Sequence, residues 1–306
     1  MCLVGRGAYT SLMSAKIWID GKLVDKNDAK VGLFDHGFLF GDGVWEGMRI
    51  YGGQVFRLTE HVARLCASAA CLGISIPFSP DALSTTVAET VRANNRTYGY
   101  VRVIVTRGAG TLGLDPRKCT PSVIVIAEDV VTFPRELYEF GLTLVTAATP
   151  RHPIGLAPPY PQTLGNVAAV LQKAEALRAG CLDALVLMGS GEVVGTVEGS
   201  LFVVSGGVVR TPPPGVGPPD PVTRGALFDL VRATGREVAE QTLTRADVAG
   251  AEEAFIVGTA AEVIAVASLD GRPVGAGREG PVAREMRSAF RRATRGESDG
   301  AAGGAS

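Results

Sequence analysis

The sequence predicts an α+β protein with largely antiparallel sheets. At three places, two residues that tolerate positive φ stand between extended runs, as in hairpins: Asp20-Gly21, Gly52-Gly53 and Asp270-Gly271. The segment "LFVVSGGVVRTP" predicts a fourth hairpin. Helical periodicity and β-branched runs such as "YVRVIVTRG" follow each other in a mixed order rather than in strict βαβ units. That order favours α+β over a doubly wound parallel sheet.

Five helices are predicted from apolar residues at helical spacing, with strands between them. The helices are Glu60 to Leu72, Asp81 to Asn94, Leu164 to Ala179, Thr223 to Thr234 and near Pro281 to Arg292. A composition break between Glu128 and Gly141 predicts a domain boundary near residue 135. The expected organisation is a flexible N-terminus (1–15), a small α/β domain (16–135), a connection and loop (136–161), a large domain (162–292) and a disordered tail (293–306).

Composition and charge narrow the class of ligand. The 306 residues carry a formal net charge of −1 without a single-sign block, which argues against nucleic acid or an anionic membrane as partner. No apolar run is long enough for a membrane span or a signal peptide. Five scattered cysteines argue against a disulfide framework and a zinc site, so we expect reduced thiols, no metal and a cytoplasmic location. A small molecule is the expected ligand.

Seven segments occur in order between about Ile17 and Phe290: "DHGFLFGDGVWEGMRIY", "FRLTEHVARLCASA", "YVRVIVTRGAGTLG", "KAEALRAGCLDALVL", "SLFVVSGGVVRTPP", "VTRGALFDL" and "ADVAGAEEAFIVGTAAEVIAV". Together they resemble the class IV, fold-type IV pyridoxal-phosphate enzymes, which include branched-chain aminotransferases, D-amino acid aminotransferases and aminodeoxychorismate lyase. The resemblance implies the two-domain D-amino acid aminotransferase-like architecture with barrel-like sheets. It also implies a homodimer in which loops of one subunit close the neighbour's cleft.

The resemblance assigns a phosphate site to four residues: Arg64, Val222, Thr223 and Thr259. A helix N-terminus with exposed amides, threonine hydroxyls and one guanidinium suits a phosphate on physical grounds alone. It also assigns a substrate side, where arginines pair with carboxylates through two hydrogen bonds. The residues implied there are Phe40, Trp45, Arg49, Tyr100, Arg102, Arg107 and Ala260.

Pyridoxal chemistry in this fold requires a lysine for the internal Schiff base. Aligned backward from Glu175-Ala176, the position of that lysine falls on Gln162, or on Pro161 with the branched-chain spacing. Lys173 lies about 11 residues further along, roughly 16 Å on a helix, and cannot replace an amine at the helix start. The sequence therefore predicts a cleft without the Schiff-base amine.

The family also pairs a glutamate with the pyridinium nitrogen. Counted back from Phe202, its position is Gly195, and the nearest acids are Glu192 and Glu198. A three-residue shift along a strand would turn either acid to the opposite face. Two separate losses indicate a rebuilt site.

These losses predict an enzyme independent of pyridoxal phosphate, a lyase, cyclase or isomerase acting on a small anionic metabolite by acid–base catalysis and oxyanion stabilisation. No cofactor is predicted, although pyridoxal phosphate or phosphate held without a covalent bond stays open. The candidate catalytic residues are His36, Tyr100, Arg102, Arg107, Gln162 and Asn166.

Two alternatives remain. One is an aminotransferase or aminodeoxychorismate lyase that uses pyridoxal phosphate, with an amine supplied by Lys16, Lys22, Lys26, Lys30, Lys118 or Lys173. The other is a binding protein or inactive partner subunit that keeps the fold.

Overall fold

The structure is a computed structural model that describes residues 15–151, 161–214 and 222–295. The predicted flexible N-terminus, except for residue 15, and the tail from residue 296 onward lie outside the described residues. Most of the Pro-rich loop before Pro161 lies outside them as well. No helix within the described ranges is long and apolar enough to cross a membrane.

The first domain is a six-stranded antiparallel sheet with two longer helices on one face. Its strands are β1 (Lys16–Ile19), β2 (Lys22–Asp25), β3 (Gly43–Tyr51), β4 (Gln54–Val55), β5 (Gly99–Ala109) and β6 (Thr120–Glu128). Its helices are α1 (His36–Phe40), α2 (Leu58–Cys71) and α3 (Pro80–Ala93), with a 3₁₀ turn at Pro116–Lys118. The strand order is β2-β1-β6-β5-β3-β4. Apolar side chains of β3, β5 and β6 pack against α2 and α3 to form the core of this domain.

The second domain is built on a nine-stranded sheet. Its strands are β7 (Leu142–Thr146), β8 (Asp183–Leu187), β9 (Val193–Thr196), β10 (Ser200–Ser205), β11 (Val208–Thr211), β12 (Val238–Glu240), β13 (Glu253–Gly258), β14 (Glu262–Leu269) and β15 (Arg272–Pro273). The order is β12-β11-β10-β13-β14-β7-β8-β9, with β15 beside β14. Among the strands of the described residues, β11 with β12, β14 with β7 and β7 with β8 are the parallel pairs.

Helices pack on both sides of the second sheet. They are α4 (Leu137–Phe140), α5 (Val167–Arg178), α6 (Val222–Ala233), α7 (Arg245–Ala249) and α8 (Pro281–Arg295). Helices α6 and α8 bury one apolar cluster with β10, β13 and β14. A second cluster lies against α4 and α7, so the sheet is covered on both faces.

The predicted α+β class with largely antiparallel sheets is confirmed, as are the four hairpins and the five long helices. Helix α5 begins three residues later than predicted, because Leu164 still pairs with strand β3 through a hydrogen bond to the Gly43 carbonyl. The short helices α1, α4 and α7 were missed, since segments of four or five residues give no periodic signal. Residue 135, near which a boundary is predicted, follows the last strand of the first sheet and precedes the first strand of the second.

Helix α8 continues to Arg295, so residues 293–295 of the predicted tail are helical. The last turn is supported by Arg291 and Arg295, whose guanidinium groups approach the carboxylate of Glu262 at 3.8 and 3.7 Å. The helix therefore ends on a charged contact with the sheet rather than at the end of its apolar face.

Candidate active site

The two faces of strand β3 have different surroundings. Its alternate residues Val44, Met48 and Ile50 belong to the core under α2, and Glu46 lies on that same face. The opposite face meets the second domain: the Trp45 indole donates to the Thr163 carbonyl, and the Arg49 guanidinium donates to the Ala260 carbonyl at 3.1 Å. The cleft therefore lies between β3 and the loops of the large domain.

The predicted phosphate residues of the large domain come together. Thr223 stands in the first turn of α6, and its hydroxyl lies 3.2 Å from that of Thr259, in the turn between β13 and β14. Val222 is the first residue of this twelve-residue helix, whose N-terminal amides carry partial positive charge. Arg49 donates to the carbonyl of Ala260, the next residue in the same turn as Thr259. Two hydroxyls and a helix N-terminus therefore form a cradle for an anion.

Arg64 lies on α2 and pairs with the fully buried Glu46 through two parallel hydrogen bonds, from Nε at 2.5 Å and from Nη2 at 2.7 Å. His61 donates from Nδ1 to the same carboxylate at 2.8 Å. Burial raises the pKa of Glu46, but the hydrogen bonds from His61 and Arg64 outweigh it and hold the pKa below its ordinary value. The carboxylate is thus ionised and fully bonded.

Gln162 lies at the edge of β3. Its carbonyl accepts the Trp45 amide at 3.0 Å, and its own amide donates to the Ser68 hydroxyl of α2. Position 162 therefore lies where strand β3 and helix α2 meet the start of the large domain. Asn166 is the exposed residue before α5 and donates to the Thr163 carbonyl.

All six lysines of the sequence are described, and three make ion pairs. Lys16 pairs with Asp25 and Lys26 with Glu128, both in the small domain. Lys173 donates to the Leu182 carbonyl and to Glu198, both at 2.6 Å. The exposed lysines are Lys22, Lys26, Lys30 and Lys118. None of these contacts brings an amine to Gln162.

Gly195 lies in β9 with φ at +146°, a backbone conformation that side chains rarely adopt. A Cβ at this position would stand 2.9 Å from the Gly199 carbonyl oxygen. The position implied for the pyridinium partner therefore has no room for a glutamate on this backbone. Glu198 pairs with Lys173, and Glu192 accepts from the Ser190 hydroxyl.

Tyr100 and Arg102 of β5 stand opposite Arg49 and Gly47 of β3 and therefore share the cleft face. The Arg102 guanidinium lies 4.2 Å from the centre of the Trp45 ring, a stacked cation–π contact. Burial, followed by nearby Glu46 and Glu198, raises the pKa of Tyr100, although Arg102 acts in the opposite direction. The phenol therefore stays neutral and can donate a hydrogen bond.

Tyr100 also explains a glycine. A Cβ on Gly47 would stand 1.7 Å from the Tyr100 hydroxyl oxygen, so the phenol fits over β3 only because position 47 has no side chain. Trp45 and Gly47 of the motif "WEGMR" thus form an aromatic and cationic wall together with Tyr100 and Arg102 of β5.

The other predicted site residues are held by structural contacts. His36 is buried, bonds the Thr111 carbonyl through Nε2 at 2.8 Å and meets the ring of Phe40 edge-on. Phe40 itself is half exposed at the end of α1. Arg107 pairs with Asp42 and also donates to the carbonyls of residues 72 and 73, so its guanidinium ties β5 to the end of α2.

The sequence reasoning missed Glu46, His61 and Glu262. Glu46 had a signal, because a charged residue interrupts the apolar alternation of Val44, Met48 and Ile50. Glu262 accepts the Tyr51 hydroxyl at 2.9 Å and lies beside Arg49. Its partners come from distant segments of the sequence, so no local pattern predicts its role.

The amino-transferase class IV family matches residues 43–269. A putative branched-chain-amino-acid aminotransferase of Methanocaldococcus jannaschii is 41% identical over 277 residues, covering 90% of this chain and 95% of that protein. The Escherichia coli branched-chain amino acid aminotransferase structure is 32% identical, covers 95% and 98% of the two chains and gives a TM-score of 0.88. A T.th. branched-chain amino acid aminotransferase with pyridoxamine 5′-phosphate is 33% identical, with coverage of 94% and 96% and a TM-score of 0.88.

The chain belongs to the amino-transferase class IV family, and its fold is the α+β fold of the solved structures. The expectation of an enzyme agrees with this membership. The prediction of a pyridoxal-phosphate-independent lyase, cyclase or isomerase is wrong, because relatives that align along nearly the whole chain are named aminotransferases. The prediction of no cofactor is also wrong, since the T.th. relative is solved with pyridoxamine 5′-phosphate. The likeness extends over 90% of the chain, whereas the two predictions rested on positions 162 and 195 alone.

Proposed function

We propose that the chain is an aminotransferase of the branched-chain type that binds pyridoxal 5′-phosphate and moves an amino group between a branched-chain amino acid and a 2-oxo acid. The observation that carries this function is the 41% identity to a putative branched-chain-amino-acid aminotransferase over 90% of the chain. The cleft supports it, since Trp45 and Tyr100 suit an apolar side chain and Arg102 suits a carboxylate.

The residues present fit one end of the cofactor. Thr223, Thr259 and the amides that open α6 form the anion cradle, and Arg64 is the guanidinium that the resemblance adds to it. When bound, pyridoxal phosphate supplies an electron sink for chemistry at the amino-acid α-carbon. The protein supplies binding of the phosphate, orientation of the substrate carboxylate and a wall that excludes water.

The residues at the other end do not fit covalent attachment. We propose that Gln162 occupies the Schiff-base position and that the cofactor is held without a bond to lysine. A glutamine donates and accepts hydrogen bonds but carries no proton near neutral pH. Gly195 cannot accept a glutamate on this backbone. We therefore expect slow turnover and a cofactor that dissociates.

The chain also requires a second copy in this proposal. Segment 33–40 and loop 109–114 lie side by side, joined by the Gly110 amide on the Phe34 carbonyl. Together they expose large apolar side chains: Leu33, Phe34, Phe38, Phe40, Leu112 and Leu114. A contiguous apolar patch on a water-soluble domain is typical of an interface. We propose that a second subunit covers this patch.

We also propose that the ligand of the cleft is a small anionic metabolite and not nucleic acid.

The experiment that tests the function measures amino transfer by the purified chain with added pyridoxal 5′-phosphate and 2-oxoglutarate. L-leucine, L-isoleucine, L-valine and D-alanine are offered in parallel as amino donors. We expect transfer from the L-branched-chain donors and much less from D-alanine. Transfer from D-alanine alone, or from none of the donors, would overturn the proposal.

A matched pair of variants tests the cradle. The double variant Thr223→Val and Thr259→Val removes both hydroxyls and should weaken pyridoxal 5′-phosphate binding about tenfold or more, measured by absorbance titration. The control is Thr234→Val, just past the other end of α6, where the hydroxyl donates to the Val231 carbonyl. Equal losses in both variants would show that the cradle is not the binding site.

A further inference from the structure

Glu46 is a carboxylate on the apolar face of a central strand. Val44 and Met48 stand on either side of it on that face, and all three residues are fully buried. A buried carboxylate is strongly disfavoured unless charged or donor groups pair with it. Its presence among core side chains therefore needs a reason beyond packing.

Three hydrogen bonds satisfy both oxygens of Glu46. Oε1 accepts from Arg64 Nε, and Oε2 accepts from Arg64 Nη2 and from His61 Nδ1. His61 precedes Arg64 by three residues on α2, so both donors project from the same helix face. The two parallel bonds fix the plane of the guanidinium, which a single bond would leave free to turn.

Stability alone does not explain this cluster. Apolar residues of similar volume in place of a buried ion pair are often as stabilising or more so, and the surrounding core of Val44, Met48 and Leu65 would accept them. What the ion pair adds is orientation. Its two hydrogen bonds, from Nε and Nη2, fix the plane and the direction of the Arg64 guanidinium.

The face of α2 that carries Arg64 borders the cleft. Ser68 lies one turn further along and accepts the amide of Gln162. The side chain of Arg64 is 18% exposed, whereas that of Glu46 is completely buried. The pair therefore runs from the core outward to the cleft edge.

We propose that Glu46 is a positioning residue that holds the Arg64 guanidinium in the orientation that binds the phosphate, with His61 holding the Glu46 carboxylate in turn. The inference rests on the proposed function only in taking the phosphate of pyridoxal 5′-phosphate as the anion. Glu46 touches neither cofactor nor substrate and acts through Arg64.

The test compares two charge-removing variants of matched geometry. Glu46→Gln keeps the shape but removes the charge and one of the two acceptor oxygens, so the pair of parallel hydrogen bonds to Arg64 is lost. Glu279→Gln is the control, because Glu279 is also buried and also bonds an arginine, Arg287, through Nε and Nη2 at 2.7 and 2.8 Å, but on helix α8. Both variants are titrated with pyridoxal 5′-phosphate and, separately, with inorganic phosphate, and their thermal unfolding is measured.

We expect Glu46→Gln to weaken the binding of both probes about tenfold, and Glu279→Gln to leave the binding unchanged. In an Arg64→Ala background, Glu46→Gln should cause no further loss, because its effect passes through Arg64. If Glu46→Gln does not fold, Arg64→Lys carries the test: it keeps the charge without the planar fork, and we expect a similar loss.

Three results would overturn the inference. They are unchanged phosphate binding in Glu46→Gln or in Arg64→Lys, an equal loss in Glu279→Gln, and an additional loss in the Arg64→Ala background. Wild-type protein that binds neither probe would overturn it as well. Failure of the proposed function has a different signature, since amino transfer would then be absent while Arg64-dependent phosphate binding persists.

Discussion

The Nζ atom of Lys173 lies 2.6 Å from Oε1 of Glu198 and 2.6 Å from the Leu182 carbonyl oxygen. A Schiff-base lysine must present an unbonded, unprotonated amine to an aldehyde. These two contacts instead occupy the Lys173 amine and direct it toward the start of β8. Lys173 is therefore a structural cation of α5, although it is the lysine nearest in sequence to position 162.

The first prediction concerns covalent attachment. Borohydride reduction of the wild-type protein with pyridoxal 5′-phosphate should leave its mass unchanged, whereas Gln162→Lys should gain one pyridoxyl group at position 162. Amino transfer by Gln162→Lys should exceed that of the wild type by at least about tenfold, because an amine at 162 can carry a proton and glutamine cannot. Peptide mass mapping and initial rates measure the two effects.

Gln162→Met is the control for this experiment, since it has similar length and no amine. It should show neither the adduct nor the gain in rate. A reduced adduct on Lys173 or on any other lysine of the wild type would contradict the assignment of position 162.

The second prediction concerns Gly195. Any side chain at this position meets the Gly199 carbonyl oxygen at 2.9 Å and adopts φ near +146°, so Gly195→Ala should lower the free energy of unfolding by roughly 1–3 kcal/mol. Gly195→Glu should lower it further. Urea unfolding at neutral pH measures both variants.

Gly189→Ala is the matched control, because a Cβ there meets no atom within 4 Å. We expect its free energy of unfolding to stay within about 0.5 kcal/mol of the wild type. Full stability of Gly195→Glu would mean that the backbone of β9 can adjust to a glutamate, and the argument against a pyridinium partner at 195 would be lost.

Local patterns predicted the fold class and the long elements because those depend on neighbours in sequence. Turn residues such as Asp20-Gly21 specify a hairpin wherever they occur between extended runs, and the β1–β2 hairpin follows. Helix α5 shows the limit of local reasoning, since its start is set by Leu164 pairing with Gly43 across 121 residues of sequence. Only the tertiary structure shows that Leu164 pairs with β3 instead of joining the helix.

The site was predictable only in part, and by resemblance rather than from local patterns. The hydroxyls of Thr223 and Thr259 were assigned by resemblance, and the structure places them 3.2 Å apart. The roles of the arginines predicted to face a ligand were harder to predict, because the sequence around an arginine does not show which group it will bind. Arg107 is held by Asp42, and Arg49 by Ala260 and Glu262, contacts that no local pattern contains.

The third prediction concerns the apolar patch of segments 33–40 and 109–114. Phe38 and Leu114 are 68% and 77% exposed, so the double change Phe38→Ser and Leu114→Ser removes apolar area without opening the core. We expect the wild type to sediment as a dimer and the double variant to shift toward monomer at micromolar concentration. Analytical ultracentrifugation measures the difference.

Val131→Ser provides the control, because Val131 is 90% exposed but lies between strand β6 and helix α4, outside both segments of the patch. It should leave the sedimentation unchanged. A wild-type monomer, or a double variant that dimerises as strongly as the wild type, would show that the patch is not the subunit interface.

The fourth prediction concerns Asp183, a fully buried carboxyl at the start of β8. Its Oδ1 accepts the amides of Ala184 and Val197, while Oδ2 has no partner among the described residues. Burial is the main cause that raises the pKa of Asp183 from its ordinary value of 3.8 to about 6. The folded protein thus holds a proton that the unfolded chain releases at lower pH.

The sign of the pH effect follows from this binding. Between about pH 4 and pH 6 the folded state binds more protons than the unfolded chain, so the contribution of Asp183 to stability is present at low pH and lost as the pH rises through 6. At about 1.4 kcal/mol per pKa unit the loss is roughly 3 kcal/mol. Asp183→Asn keeps an Oδ1 acceptor and cannot ionise, so its stability relative to the wild type should rise by roughly 2 kcal/mol between pH 4.5 and pH 7.5, which is the part of this loss that lies above pH 4.5.

Urea unfolding of both proteins at pH 4.5 and pH 7.5 measures this difference, and the titration of all other groups cancels in it. Asp247→Asn is the control, because hydrogen bonds from Thr244 lower the pKa of Asp247 and the sign of its pH dependence is therefore opposite. A stability gap between Asp183→Asn and the wild type that stays constant with pH would show that Asp183 ionises normally in the folded protein. The hydrogen bond from the Val197 amide would then be accepted by a carboxylate that stays ionised across this pH range.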